Sequence, residues 1–332
     1  MNNINISFLL IKLLININLF IFLNKIFIFL TKYKYCSQCI VKLAKLNLNC
    51  SLCPNKIVFK NLKIVSTEKT LNEIIKYKKS ISRLGDGEYH IIFGQNITFE
   101  RYNNILSKRL SEVLNSNEKN LLVGLFFPYK QKQLDLYRDS VVKYWREWLY
   151  KNKYRLLNII NKNKKYYSSD ITRFYTNFKD KSGVPKYIKK FKKIWEKRNI
   201  LIVEGEKSRL GIGNDLFNNA KSIKRIICPN KYAFKVYDKI LNSVKKVDKG
   251  NLILIALGPT ATILAYDLSK LGYQAIDIGH ADIQYELYLR NASTFIQIPK
   301  KYVNEFNFGR NEDVGNITDI IYYKQIIDNI SF

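Results

Sequence analysis

The chain has 332 residues, enough for one large domain or two smaller ones with a substantial hydrophobic core. Hydrophobic residues make up 47% and charged residues 25%, a balance that excludes a mostly disordered chain. The formal net charge of +29 favours polyanionic neighbours such as anionic lipid or nucleic acid. Because the lysines are spread along the sequence without a compact arginine-rich arm, a generally solvated basic surface is the simplest interpretation.

The first 34 residues form an apolar segment. Residues 8–30 are almost all Leu, Ile, Phe and Asn, and their only charges are Lys12 and Lys25. A helix of this length, at about 1.5 Å per residue, can cross a bilayer about 30 Å thick. The two interior lysines better suit a helix that lies in the membrane interface. An apolar helix packed on the folded domain is the alternative.

Four of the five cysteines lie in two pairs, Cys36-Ser-Gln-Cys39 and Cys50-Ser-Leu-Cys53. Two such pairs can complete a tetrahedral thiolate site for Zn²⁺. The ten residues between the pairs are fewer than the commoner ribbon spacing of about 15–20. Reduced thiols in a loop are therefore the alternative to a structural zinc site. The fifth, Cys228, lies in an apolar run and is predicted to be a core residue.

From about residue 56 onward, apolar strand patterns alternate with helical ones. Strands are predicted at residues 56–65, 80–84, 121–127, 199–203, 223–227, 252–257 and 275–278. Helices are predicted to start at the capping box Thr70-Leu-Asn-Glu73, to span 105–114, and to run over 260–271. This alternation predicts an α/β fold with a mostly parallel sheet covered by helices on both faces. The domains are therefore expected at 1–34, 35–55 and 56–332, with a basic, aromatic helical insertion at about 131–197.

The most informative segment is Ser82-Arg-Leu-Gly-Asp-Gly-Glu88, which follows a predicted strand. Asp86 and Glu88 come at the carboxyl end of that strand, where open α/β sheets place their ligands. Such a carboxylate pair can bind Mg²⁺ or Mn²⁺, and the cation can bridge a diphosphate. Arg83 is suited to hold a phosphate with its guanidinium fork. The alternative is an ordinary Asp-Gly turn in which Glu88 begins a helix.

Two more turns follow predicted strands. Residues 203–215 carry three glycines in a loop that can bring backbone N–H groups close to phosphate or ribose. The alternative is a polar loop with a helix cap at Asn214 or Asp215. Residues 257–262 predict a strand-to-helix turn in which Thr260 caps the helix, whose N-terminus suits an anion.

A fourth turn, residues 277–282, brings Asp277, His280 and Asp282 together at a strand end. A general base can lie among them, although Asp282 can equally cap the following helix. Because the carboxyl ends of parallel strands share one sheet edge, the four turns are expected to meet there. They predict a nucleotide diphosphate lying across that edge, with a divalent cation on the carboxylates of the first turn.

These segments resemble the GT-D fold glycosyltransferases, first catalogued as a domain of unknown function. The likeness covers roughly residues 56–290 and is carried by residues 83–88, 203–211, 214–217, 257–261, 265–269 and 277–282. It implies a Rossmann-like fold distinct from the two commoner glycosyltransferase folds, and a UDP-sugar donor with UDP-glucose foremost. The family's metal-binding Asp-x-Glu falls on Asp86 and Glu88. Leu84 stands where members often have Phe, and the resemblance does not extend to the cysteine pairs.

We therefore expect a cytoplasmic glycosyltransferase, attached to the inner face of the membrane, that acts on a glycan, glycoprotein or lipid-linked acceptor. Mn²⁺ or Mg²⁺ is expected at Asp86 and Glu88. Donor contacts are expected from Arg83, Gly85, Ser208, Arg209, Gly258, Pro259 and Thr260, and base or sugar contacts from Asp282, His280 and Glu206. The alternatives are a nucleic-acid-binding protein with a small zinc module and another nucleotide-dependent transferase, such as a phosphotransferase.

Overall fold

The structure is a computed structural model that describes residues 62–126, 134–307 and 314–332. The apolar segment 1–34 and the predicted zinc ligands Cys36, Cys39, Cys50 and Cys53 lie outside the described residues. In the described part of the chain, no helix is both long enough and apolar enough to span a membrane.

A parallel β-sheet of nine strands forms the centre of the described fold. The strands are β1 (Lys63–Ile64), β2 (Ser80–Leu84), β3 (Leu121–Leu125), β4 (Lys165–Ser168), β5 (Asn199–Gly205), β6 (Ser222–Cys228), β7 (Leu252–Ala256), β8 (Gln274–Asp277) and β9 (Ile326–Asn329). Their order is β1-β4-β3-β2-β8-β7-β5-β6-β9, and each neighbouring pair is parallel. All these strands therefore end at one edge of the sheet.

Helices connect the strands. They are α1 (Thr67–Tyr77), α2 (Asp86–Ile92), α3 (Asn104–Asn115), α4 (Asp139–Ile159), α5 (Val184–Phe191), α6 (Tyr237–Lys245), α7 (Pro259–Lys270), α8 (Ala281–Leu289), α9 (Asn304–Asn307) and α10 (Ile320–Gln325). Alternate residues of β7 point to opposite faces: Leu252 and Leu254 join the core of α1, α5 and α8. Ile253 and Ile255 join the core of α3, α6 and α7. The predicted sheet with helices on both faces is thus confirmed.

Two predicted helix starts are wrong by a few residues. Helix α1 begins at Thr67, because the Ser66 hydroxyl accepts from Lys69 N and caps the helix there. Thr70 lies one turn inside, buried, and donates to Ser66 O at 2.9 Å. Helix α7 begins at Pro259 with Gly258 as its N-cap, so Thr260 is a buried first-turn residue and does not cap.

The segment 131–197 contains α4 and α5, and it also contributes a strand to the sheet. β4 pairs with β3 on one side and β1 on the other. Only four residues form this strand, and its sequence Lys-Tyr-Tyr-Ser lacks the long apolar run of the central strands. Tyr166 is buried at the sheet, while Lys165 is exposed.

A buried ion pair joins two neighbouring strands to the C-terminal segment. Arg225 on β6 pairs with Glu204 on β5, and their side chains are 2% and 0% exposed. The same guanidinium donates to Gln325 Oε1 at 2.7 Å and to Leu210 O at 2.9 Å. Glu204 in turn accepts from Leu210 N at 2.7 Å. The pair therefore fixes the 205–215 loop and helix α10 to strands β5 and β6.

The first prediction concerns this pair. We expect Arg225→Met to destabilise the protein by about 3–5 kcal/mol, since it leaves the Glu204 carboxylate buried without its cation. The double variant Glu204→Leu/Arg225→Met removes both charges, and we expect it to recover much of that loss. Urea unfolding of the three proteins measures the difference. A single-variant cost below about 1 kcal/mol would contradict the assigned role.

Candidate active site

A cavity of about 830 Å³ lies across the carboxyl edge of the sheet. Its lining comes from the turns that follow β2, β4, β5, β6, β7 and β8, together with residues of α4 and α9. The volume lies within the range of about 300–1,000 Å³ usual for small-molecule sites. The four turns singled out in the sequence do contribute to one site, as predicted.

Arg83 and Asp277 form an ion pair where β2 meets β8. Arg83 Nη2 lies 2.8 Å from Asp277 Oδ1, and Nε donates to Asp277 O at 2.7 Å. Burial raises the pKa of Asp277, and the Arg83 guanidinium partly offsets this effect. The guanidinium fork expected to hold a phosphate is thus directed at Asp277, although Arg83 lines the cavity. A donor contact from Arg83 stays a prediction.

Two glycines with positive φ permit close packing at this edge. Gly279 has φ +43, and a Cβ there would overlap Nη2 of Arg83. Gly258 has φ +54, and a Cβ there would overlap the ring of Phe99. Glycine is required at both positions for its backbone freedom and its lack of a side chain.

Asp86 and Glu88 open helix α2 beside the cavity. Glu88 Oε2 accepts from Gly85 N at 2.8 Å, so Glu88 lies in the first turn of a helix and caps its N-terminus. Asp86 accepts a hydrogen bond from the phenol of Tyr144 on α4. Burial raises the pKa of Glu88 to about 7, and repulsion from Asp277 and Asp86 adds to the shift.

This carboxylate pair suits a hard cation that shares its coordination with a substrate. Across residues 62–126, 134–307 and 314–332, no group of three or more His, Cys, Asp or Glu side chains could hold a metal by itself. Mg²⁺ usually binds through one or two carboxylates, together with water and substrate phosphates. Asp86 and Glu88 both line the cavity, so they fit a cation of that kind.

Four residues predicted for the site do not line the cavity. They are Glu206, Arg209, Pro259 and Thr260. Glu206 is exposed, and Arg209 Nη1 donates to the carbonyls of Lys300 at 2.7 Å and Gly315 at 2.8 Å. Pro259 and Thr260 are buried in the first turn of α7. Gly85, Ser208 and Gly258 do line the cavity, as expected for donor contacts.

Asp282 lines the cavity, but its contacts favour a positioning role over proton transfer. It accepts from Lys301 Nζ at 2.6 Å, from Gly211 N at 2.8 Å and from Asn214 Nδ2 at 2.9 Å. Lys301 also contacts Glu286 at 2.9 Å, and its side chain is 1% exposed. Asp282 therefore holds the 205–215 loop against α8, which begins at Ala281 with His280 as its N-cap.

His280 belongs to a three-residue network with Arg173 and Glu305. Arg173 Nη1 lies 2.8 Å from Glu305 Oε1, and His280 Nε2 lies 3.1 Å from the same oxygen. Arg173 Nη2 approaches His280 Nδ1 at 3.4 Å. Burial alone would raise the pKa of Glu305, but His280 and Arg173 outweigh it and hold that pKa well below its usual range. Since both ring nitrogens have partners, His280 is poorly placed to act as a base.

The sequence did not indicate several residues of the lining. Asp170 and Arg173 follow β4, which was not predicted, so no strand end pointed to them. Tyr144 lies on α4, where it was one aromatic among many. Glu305 reaches the cavity from α9, more than 200 residues after Asp86.

The second prediction tests the packing of Gly279 on Arg83. We expect Gly279→Ala to destabilise the protein by about 3 kcal/mol or more, because it strains the backbone and displaces Arg83 from Asp277. Gly272→Ala is the matched control. Gly272 has φ +87 and no atom near its missing Cβ, so we expect backbone strain alone, about 1–2 kcal/mol. Guanidinium unfolding measures both, and equal costs would contradict the proposed packing.

Two curated streptococcal proteins are similar to this chain. It is 35% identical over 271 residues to glycosyltransferase GlyD of Streptococcus pneumoniae, a match that covers 81% of this chain and 33% of that protein. It is 36% identical over 274 residues to the probable glycosyl transferase Gly of Streptococcus gordonii, covering 82% of this chain and 39% of that protein. The chain thus spans little more than a third of the length of these relatives.

Solved structures share the fold over nearly their whole length. One, described as the highly conserved domain of unknown function 1792 with a distinct glycosyltransferase fold, has a TM-score of 0.79 and 36% identity. The match covers 83% of this chain and 98% of the chain in that structure. Another, described as a new glycosyltransferase from Streptococcus sanguinis, has a TM-score of 0.77 and 34% identity. That match covers 81% of this chain and 100% of the chain in the solved structure. The family profile of the glycosyltransferase GT-D fold matches residues 81–306, and the chain belongs to that family.

Proposed function

We propose that this protein is a metal-dependent glycosyltransferase that moves a sugar, with glucose as the first candidate, from a UDP-sugar donor. The acceptor is a glycan, a glycoprotein or a lipid-linked sugar. The observation that carries the proposal is the cavity at the carboxyl edge, where paired carboxylates and glycine turns meet in a GT-D fold. This is the place where open α/β sheets bind nucleotides.

The charge of the cavity supports a requirement for a divalent cation. Of the described residues, seven carboxylates line it against two arginines, Arg83 and Arg173. Both arginines are already paired with carboxylates. A diphosphate entering such an acidic site would be repelled unless a cation came with it. A cation at Asp86 and Glu88 would stabilise the charge of the departing UDP.

The residues of the chain itself would orient the donor. Ser208 follows β5 and Gly258 follows β7, and both line the cavity. Loop 205–215, which carries Ser208, is held by the Asp282–Lys301 contacts. A fixed loop lowers the cost of ordering the site when the donor binds.

A phosphotransferase would use the same cavity and the same cation, so it is the second candidate. It would release a phosphorylated product and leave the nucleoside monophosphate or diphosphate without sugar transfer. The net charge of +29 also supports an anionic partner outside the cavity. We propose the inner face of a membrane for that partner, contacted by residues 8–30.

The third prediction is metal-dependent release of UDP from one member of a UDP-sugar panel. With Mn²⁺ we expect release by the full chain, and with a chelator we expect none. Asp86→Asn and Glu88→Gln should each lower kcat/KM about 100-fold or more, since the cation contributes several kcal/mol. Asp139→Asn is the control, because that carboxylate lies on the exposed start of α4 and its side chain is 90% exposed.

Donor binding read by calorimetry in the same samples completes the test. Binding of a UDP-sugar only with Mn²⁺ would support the site even where the acceptor is obligatory for turnover. Failure of every UDP-sugar to bind in the presence of metal would refute the proposed donor. Release of phosphate from a nucleoside triphosphate, with no sugar transfer, would favour the phosphotransferase.

A further inference from the structure

The carboxylates that line the cavity differ in how their charge is balanced. Asp86 and Glu88 are assigned to the cation. Within the described residues, salt bridges to Arg83, Lys301 and Arg173 neutralise three others: Asp277, Asp282 and Glu305. The two that have no salt bridge to a described residue are Glu100 and Asp170.

These two lie on opposite sides of the cation pair. Glu100 accepts from Phe234 N, which follows β6, and also interacts with Thr260 of α7, which follows β7. Asp170 follows β4, which is only two strands from β2, or about 10 Å at the usual strand spacing. Arg173 interacts electrostatically with both Asp86 and Asp170, which places both carboxylates near its guanidinium. Asp170 therefore lies near the expected reaction centre.

The Asp170 carboxylate is fixed at an aromatic end of the cavity. It lies in the 3₁₀ helix Ser169–Thr172, is 3% exposed, and accepts a hydrogen bond from the phenol of Tyr137. The Tyr137 ring packs on Phe126 at 5.5 Å, and Phe126 packs on Trp145 at 4.6 Å between ring centroids. Phe126 and Trp145 also line the cavity, so a substrate at this end meets a carboxylate beside apolar ring faces.

The aromatic wall connects this end to the cation pair. Tyr144 lines the cavity, packs edge-on against Trp145 at 5.7 Å and donates its phenol to Asp86. The C–H face of a sugar ring can pack against such aromatic side chains while its hydroxyls face polar groups. The exposed ring of Tyr144, supported edge-on by the buried Trp145, thus forms a platform between Asp86 and Asp170, of the kind that a sugar acceptor needs.

On the basis of the proposed glycosyl transfer, we propose that Asp170 is the catalytic base that takes the proton of the acceptor hydroxyl. The acceptor ring lies on the platform of Tyr144 and Trp145. As the proton moves to Asp170, the hydroxyl oxygen forms a bond to C1 of the donor sugar. The bond from C1 to the diphosphate oxygen breaks, and UDP leaves with the electron pair. Attack from the side opposite UDP inverts the configuration at C1.

The surroundings of Asp170 suit this role near neutral pH. Burial raises the pKa of Asp170 to about 7, although Tyr137, Arg173, Asn177 and Arg83 each pull it down. Tyr187 on α5 is a further titratable group that interacts with it. A base must be unprotonated to work, so the rate should fall as pH drops through about 7. Tyr137→Phe removes a contact that lowers this pKa, so the acidic limb should move to higher pH.

The fourth prediction tests the base without knowledge of the acceptor. The full chain is incubated with Mn²⁺ and the UDP-sugar that it turns over. One reaction contains water as the only acceptor, and the other also contains sodium azide. Asp170→Ala should lower UDP release to water about 10²–10⁴-fold while binding UDP within about threefold of wild type. Azide carries no proton to remove, so it should restore UDP release in Asp170→Ala and yield a glycosyl azide of inverted configuration.

Glu305→Gln is the matched control, because it alters a cavity carboxylate that already has cation partners. We expect Glu305→Gln to lose activity, and we expect that azide does not restore it. Three outcomes would each overturn the assignment of Asp170. They are normal UDP release by Asp170→Ala, a loss of UDP release that azide does not restore, and a product of retained configuration. Absence of UDP release from every sugar by the wild-type chain, together with absence of donor binding, would instead refute the proposed function on which this role rests.

Discussion

The buried contact between Arg83 and Asp277 is the constraint on which the site depends. It lies where β2 meets β8. Four strands of the sheet, β1, β4, β3 and β2, lie on one side of this junction, and the other five lie on the opposite side. Ladder pairing of these two strands is centred on Ile81 and Ile276, and the ion pair extends the junction to the carboxyl edge. Thr262 of α7 donates to Arg83 O at 3.0 Å and ties the covering helix to the same point. The turns after β2 and β8 therefore keep a fixed separation across the cavity.

The charge distribution explains why we propose that a protein with a net charge of +29 needs a cation to bind a diphosphate. The positive charge comes largely from lysines, and no lysine of the described residues lines the cavity. Arg83 and Arg173 in the lining are each bound to carboxylates, and Lys301, which is buried outside the lining, is bound to Asp282. The lining carboxylates without a salt bridge to a described residue are the Asp86–Glu88 pair at the proposed leaving group, Asp170 at the aromatic end, and Glu100. One acidic cavity thus offers separate places for a cation and for proton transfer.

The sequence predicted the central sheet and the four turns well, because long apolar runs and glycine turns are local signals. It did not predict β4, whose four residues carry no long apolar run, and so it missed Asp170 and Arg173 that follow. It predicted a phosphate contact for Arg83 but not the ion pair with Asp277, since nothing local reveals a partner 194 residues away. For the same reason the sequence admits Asp282 as a base, because no local pattern reveals its contact with Lys301. Long-range pairing of charges decides which polar residues are available for chemistry, and no local pattern reports it.

The most direct test of this account is a crystal structure of the protein with UDP and Mn²⁺, with the metal located by its anomalous scattering. We expect one manganese peak between the carboxylates of Asp86 and Glu88, with the diphosphate bound to it across the carboxyl ends of β2 and β8. We also expect that Arg83 keeps its contact with Asp277 in the complex. A nucleotide bound away from this edge, or a metal held without Asp86 and Glu88, would contradict the account.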